Sequence, residues 1–553
     1  MPDILLLQPP VRDFYLTIKR TIPYGLASIA ASLEKCGFSV ELFDSLAVSK
    51  SKTIDLPDEM SYLKQYYQDP DISPFSLFHK FKHFGYSFEH IGKIVRESGA
   101  GLIGISSLFT AYYDEAIKIA EIVKKNNPKS ITVLGGHHPT IMPEKVMESS
   151  LVDFVIRGEG EVSMPLLAEA VKKGMTHNEE ILEKIPGLVF RRQNGDIVSS
   201  EPAIMDNLDS FPLPSMNLIK NSYYRRGKKG SAVITASRGC PMDCSYCSVG
   251  SSSLKYRRRT VKSVINEIER AVKDFDCGFI DFEDENLSLN GKWFLELLNE
   301  IISRFSESKI EFRAMNGLFP PSLNEKIIQN MKKAGFKTLN LSLGSTSKAQ
   351  QKKFRRPDVL ENLDEILLLS GKYYLEAVCY IIVGAPGQLS GDSISDLLYL
   401  AGRRALAGVS VFYPAPGSSD YETASGLGLL PDCFSLMRSS AIPVSHTTSR
   451  LESVTLSRLG RILNFMKMIV DQDGILPDPE IPPLFINSDF SDRYQVGKKL
   501  ISGFLYDGVI RGVGSGGQVF THRSSLELNQ LFIDGLKNTG VAGVVTDKHQ
   551  TFN

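Results

Sequence analysis

Three cysteines, Cys240, Cys244 and Cys247, fall within eight positions in the stretch Arg238-Gly239-Cys240-Pro241-Met242-Asp243-Cys244-Ser245-Tyr246-Cys247. Soft thiolates at this C-x3-C-x2-C spacing can share one metal centre. Three rather than four suits a cubane iron–sulfur cluster with one iron left open to a ligand. Zinc is the alternative, but a closed zinc site wants four ligands and no fourth Cys or His lies nearby. Other residues with chemical capacity also follow short apolar runs: Glu283-Asp284-Glu285-Asn286, Gly344-Ser345, Gly384-Ala385-Pro386-Gly387 and Pro414-Ala415-Pro416-Gly417, with Arg313 inside a further run. Earlier in the chain the same holds for Ser106-Ser107, Gly135-Gly136-His137-His138-Pro139-Thr140 and Gly158-Glu159-Gly160-Glu161. Cys36, Cys277, Cys379 and Cys433 are scattered and read as small core or element-end residues.

These positions are strand ends. Apolar runs at 4–7, 40–43, 102–106, 131–134 and 154–156 alternate with helical spacing at 26–35 and 112–125. That pattern predicts an open parallel α/β sheet, whose ligands sit beyond the carboxyl ends of its strands. An aromatic-rich insertion at 49–90 interrupts it, and the sheet domain is placed at 1–186. A hairpin at 188–198 with an Asn194-Gly195 turn, then Phe211-Pro212-Leu213-Pro214, reads as a linker over 187–229. A second series of runs at 232–236, 279–282, 310–313, 338–343, 377–383 and 409–413 has helices predicted at 261–274, 293–305, 324–334 and 393–406. Six repeats predict a partial (β/α)6 barrel over 230–425, with chemistry at its C-terminal mouth. Residues 426–553 read as a mostly helical variable domain, clearest at 455–471, with a Gly-rich tail lacking strong periodicity.

The 63 Lys and Arg residues balance 63 Asp and Glu over 553 residues, so no whole-chain field exists to hold a nucleic-acid backbone. The basic run Lys255-Tyr256-Arg257-Arg258-Arg259 reads as a solvated or packed face, and nucleic acid is not an expected partner. Seven cysteines are too few and too uneven for an oxidised framework, which favours a reducing cytoplasmic location. The first apolar run reads as a strand rather than a signal peptide, and no run reaches the length of a membrane span.

The cysteine loop resembles the signature of the radical S-adenosylmethionine (SAM) superfamily, with Tyr246 at its aromatic position, and the resemblance extends along the second domain. It implies a [4Fe-4S] cluster on Cys240, Cys244 and Cys247, SAM chelating the open iron, and reductive cleavage to a 5′-deoxyadenosyl radical. It further implies SAM contacts from Tyr246, Glu283, Asp284, Ser345 and Gly384, although related sequences often carry Glu at Ser345 or Thr346 and at Gln388; Arg313, flanked by apolar residues, can either bind a SAM or substrate carboxylate or be paired inside the barrel. The first domain resembles the cobalamin-binding domain of cobalamin-dependent radical SAM enzymes. This implies cobalamin contacts from Ser106, Ser107, Gly135, Gly136, His137, Thr140, Gly158, Glu159 and Glu161. The D-x-H-x-x-G motif is absent, since the loop reads Gln8-Pro9-Pro10-Val11-Arg12-Asp13; the branch binds cobalamin without a histidine ligand, and Leu108, Phe109 and Tyr112 are candidates for the lower face. The implied activity is methylation of an unactivated carbon or a phosphorus centre. Cyclisation or rearrangement without net methyl transfer is the alternative, and a non-catalytic cobalamin sensor or carrier is the reading from another class. The implied partners are a small-molecule or lipid-like substrate and an external electron donor of flavodoxin or ferredoxin type.

Overall fold

A computed structural model describes residues 1–15, 21–67, 70–78, 80–250, 255–307, 309–486 and 492–544. Its first sheet has seven strands in the order Ile197–Ser199, Leu188–Arg191, Phe154–Ile156, Ile131–Gly135, Leu102–Ser106, Ile4–Gln8, Val40–Asp44. Ile4, Leu5, Leu6 and Leu7 are all buried, which a strand achieves only when both faces of its sheet are covered. Helices Tyr24–Lys35 and Gly160–Lys172 pack on one face, and Phe88–Ser98 and Tyr113–Asn126 on the other. The hairpin expected in the linker belongs to this sheet. Phe190 pairs with Phe154 in antiparallel register, and Leu188, Val189 and Phe190 are buried, so the sheet extends to Ser199.

The second series gives six parallel strands in two groups. Lys229–Ile234, Cys277–Phe282 and Glu311–Ala314 form one, and Thr338–Gly344, Glu376–Val383 and Leu406–Val411 the other. Among the described residues the seam between them carries the isolated bridges Phe312–Phe336 and Leu318–Leu341, and the six strands form a partial barrel. Along Glu376–Val383 the residues Ala377, Cys379, Ile381 and Val383 are buried and alternate with half-buried ones, as the period of two requires. A helix unforeseen between the fourth and fifth strands, Leu360–Lys372, buries Leu363, Ile366 and Leu367.

The C-terminal region completes the barrel rather than standing apart. The long helix Arg450–Asp473, started by a Ser449/Glu452 capping box, lies along the last barrel strand. The tail expected to lack periodicity folds into helices Arg493–Asp507 and Leu526–Thr539 around a hairpin of Arg511–Val513 and Val519–Thr521. One apolar core joins Phe14 near the amino terminus and Met60, Leu63 and Phe75 of the insertion to the barrel, and on to Leu459, Phe465 and Phe532. Polar ties run the same way: Arg458 donates to the Tyr66 carbonyl at 3.0 Å, and buried Asp71 meets His522 at 2.9 Å. Among the described residues no helix is long and apolar enough to cross a membrane.

Candidate functional site

The cysteine loop leaves the first barrel strand at the barrel mouth. Its start is fixed by Asp284, whose carboxylate accepts from Ala236 N at 3.1 Å and from the Ser237 hydroxyl at 2.5 Å. Each sulfur has its own donors. The N–H of Met242 and the side chain of Asn286 are directed at Cys240, the N–H groups of Val249 and Gly250 at Cys247, and the Tyr246 hydroxyl and Arg356 guanidinium at Cys244. Burial raises the Cys240 and Cys247 thiols; the backbone donors oppose it, and each thiol feels the charge of Cys244. Oriented N–H donors and a cation around grouped thiolates fit an anionic cluster. Among the described residues no three His, Cys, Asp or Glu side chains could hold a single metal ion.

Several expected SAM contacts are engaged elsewhere. Arg313 is paired with Asp281 at 2.5 Å inside the barrel and lies over the Phe279 ring, so its charge is already neutralised. Ser345 is fully buried and turned towards helix Ser390–Ala401, where its hydroxyl and both the N–H and hydroxyl of Thr346 bond Asp396. Gly384 has φ +79°, and a Cβ there would stand 2.8 Å from Ser453 Oγ, so this glycine admits the long C-terminal helix. Gln388 likewise serves the backbone, bonding Ala385 N and Ile382 O. Asp284 is wholly buried behind the cysteine loop, whereas Glu283 is exposed at the strand end. Tyr246 stays beside the thiols, its ring edge-on to Phe354 and its hydroxyl accepting from Arg356 Nη1 at 2.7 Å.

In the N-terminal sheet, Ser106 ends the strand Leu102–Ser106 and Ser107 follows it, its hydroxyl buried without a hydrogen-bond partner. Immediately beyond, Leu108 and Phe109 are 47% and 51% exposed, an apolar ledge at the end where such sheets bind ligands. An orphan hydroxyl beside exposed apolar side chains fits a large, mostly apolar macrocycle. Gly135 ends the neighbouring strand. Gly136, at φ +123°, would place a Cβ 2.6 Å from the Ser107 carbonyl, so the strand ends demand glycine there whatever the ligand. Thr140 ties two turns together, accepting from Gly158 N at 2.9 Å and donating to Gly136 O at 2.7 Å.

Glu159 and Glu161 hold arginines of the second domain. Arg238 meets Glu161 at 2.5 Å and Glu159 at 3.2 Å, and Arg257 meets Glu159 at 2.8 Å. His137 Nε2 lies 2.7 Å from the Ser248 hydroxyl, one residue past the third cysteine. His138 is buried against Tyr113 and Phe434, which pushes its imidazole down to about 4 and keeps it neutral. A further tie, unforeseen in the sequence, joins Asp13 to Arg438 at 3.2 Å and to the Tyr112 hydroxyl at 2.7 Å. Tyr413, two residues past the last barrel strand, is part exposed. Arg356 was equally unforeseen; Arg238 and Arg257 were within view as neighbours of the cysteine loop and members of the basic run.

The B12 binding domain family matches residues 19–168 and the radical SAM superfamily residues 234–393. A cytidylyl-2-hydroxyethylphosphonate methyltransferase of Streptomyces wedmorensis is 24% identical over 71% of this chain and 75% of its own. An anaerobic magnesium-protoporphyrin IX monomethyl ester cyclase of Rubrivivax gelatinosus is 32% identical over 45% and 44%. The solved structure of the cobalamin-dependent S-adenosylmethionine radical enzyme OxsB, with aqua-cobalamin and S-adenosylmethionine bound, superposes with a TM-score of 0.64 at 15% identity, covering 99% of this chain and 77% of that one. At that identity the likeness is one of fold.

Proposed function

We propose, for a chain that belongs to the radical SAM superfamily in its B12-binding branch, that the reaction is methylation of an unactivated carbon or a phosphorus centre of a small-molecule substrate. When bound, the cluster with SAM supplies a hydrogen-abstracting radical, and cobalamin supplies a transferable methyl group. Cys240, Cys244 and Cys247 hold the cluster at the barrel mouth, with Arg356 and the loop N–H groups offsetting its negative charge. Leu108 and Phe109 offer the apolar ledge, and Met315 and Tyr413, both part exposed at barrel strand ends, offer apolar surface at the mouth. The carrying observation is that the ligand-binding ends of the sheet and of the barrel are held together by the His137–Ser248 contact at 2.7 Å. Two cofactors so placed can act on one substrate between them. The breadth of the match to a methyltransferase, against the narrower one to a cyclase, supports methyl transfer. A one-electron carrier of flavodoxin or ferredoxin type is the proposed reductant.

The test is anaerobic turnover with methyl-deuterated SAM and a strong reductant. Cobalamin-dependent S-adenosylhomocysteine alongside 5′-deoxyadenosine is the expected product pair, with 5′-deoxyadenosine abolished in Cys244→Ala. Formation of 5′-deoxyadenosine alone would replace methyl transfer with cyclisation or rearrangement.

A further inference from the structure

Both ends of the cysteine loop are held by the other domain. Arg238, two residues before Cys240, is gripped by Glu161 and Glu159, and Ser248, directly after Cys247, by His137. Arg257, opposite Arg238 in the short ladder that opens the loop, shares Glu159. The carboxylates are nearly buried, at 6% and 7% side-chain exposure. Buried charges of this kind must stay paired, because a carboxylate left alone there costs several kcal/mol. The gripping residues sit on two turns, 135–140 and 158–161, at adjacent strand ends. These turns are tied to each other by Thr140, which accepts from Gly158 N and from Arg157 Nε at 3.0 Å. They are also the turns that border the cobalamin ledge at Ser107, Leu108 and Phe109, since His138 N donates to Ser107 O at 3.3 Å.

We propose that Glu161, acting through Arg238, and His137, acting through Ser248, are positioning residues of the iron–sulfur site, so that cobalamin and the cluster bind this chain cooperatively. The inference rests on both cofactors occupying the sites described. Ordering the two turns around cobalamin fixes the carboxylates and the imidazole. These in turn fix the loop whose three sulfurs must be pre-arranged for the cluster, and linkage makes the effect reciprocal.

The measurement is the cobalamin dissociation constant, by absorbance titration with hydroxocobalamin, for anaerobic protein with and without the reconstituted cluster. The cluster is expected to tighten cobalamin about tenfold. Glu161→Gln and, as a milder change at the other end of the loop, Ser248→Ala are each expected to bring the ratio to within about twofold of one while both cofactors still bind. The ratio, unlike either affinity alone, does not move with a general loss of stability. Equal affinities in the unmodified protein, or a full tenfold ratio persisting in both variants, overturn the coupling and leave the cofactor assignment standing. Failure of cobalamin to bind either form overturns both.

Discussion

The hydroxyl of Tyr246 and the guanidinium of Arg356, 110 residues apart, stand 2.7 Å from each other, and both are directed at the middle thiol of the cysteine loop. Arg356 also bonds the Ser342 carbonyl and hydroxyl, at 3.1 and 3.2 Å, and so joins the loop to the fourth barrel strand. Replacing this cation by the neutral Arg356→Met removes a charge that favours the reduced, more negative cluster. A loss of about 1 kcal/mol corresponds to a reduction potential lower by on the order of 50 mV for one electron. A potentiometric titration followed by electron paramagnetic resonance checks this; an unchanged potential would mean that Arg356 only braces the loop.

Asp284 has its carboxyl raised to about 7, chiefly by burial, against an unfolded value of 3.8. The folded state therefore binds more protons than the unfolded one between these values, and the stabilisation present below pH 4 is lost as pH rises through 7. Asparagine is neutral at every pH, as the protonated acid is, and its amide oxygen can still accept from Ala236 N. Asp284→Asn should thus flatten the fall in melting temperature between pH 4 and 8, with a gain on the order of a few kcal/mol at the alkaline end. Parallel melting curves of variant and wild type across this range would refute it.

At Gly384 the backbone conformation and the approach of Ser453 both oppose a side chain. Gly384→Ala should cost about 2 kcal/mol or more. The Ser453 hydroxyl has no partner, so Ser453→Ala alone should be close to neutral, and adding it to Gly384→Ala should recover part of the loss. Urea unfolding of the two single variants and the double variant separates steric relief from backbone strain: no recovery assigns the whole cost to φ.

The ledge of Leu108 and Phe109 can be altered without disturbing the core, because about half of each side chain is already exposed. Leu108→Asp and Phe109→Asp should each weaken cobalamin binding about tenfold or more while leaving iron content unchanged. Equal cobalt retention after desalting would place the corrin elsewhere.

What the sequence showed best was local. The three cysteines need only their spacing, and the sheet and barrel follow from short-range apolar runs. Side-chain direction was harder to read, because distant residues set it. Ser345, Gly384, Glu159 and Glu161 all lie at strand ends, yet Asp396, Ser453 and Arg238 determine where they act or what they admit. Arg313 can serve a carboxylate of SAM or substrate or pair inside the barrel, and the Asp281 that pairs with it there lies 32 residues away. The helix Arg493–Asp507 was obscured for a related reason: its Gly497 and Gly503 make room for Phe465 and Pro482, diluting the pattern that marks a helix. Helix Leu360–Lys372 had readable apolar spacing at Leu363, Ile366 and Leu367, so there the signal was present.

The shared core of the insertion and the C-terminal helices sets a timetable for synthesis. Tyr62 donates to the Ala441 carbonyl and Arg458 donates to the Tyr66 carbonyl, so residues made early wait for partners almost 400 positions later. At ordinary elongation rates of about 5–20 residues per second, Met60, Leu63 and Phe75 leave the ribosome about 20 to 80 seconds before the surface that buries them. During that interval the nascent chain carries an uncovered aromatic face. Its yield therefore depends on shielding by chaperones and on the speed of translation, independently of how stable the finished protein is.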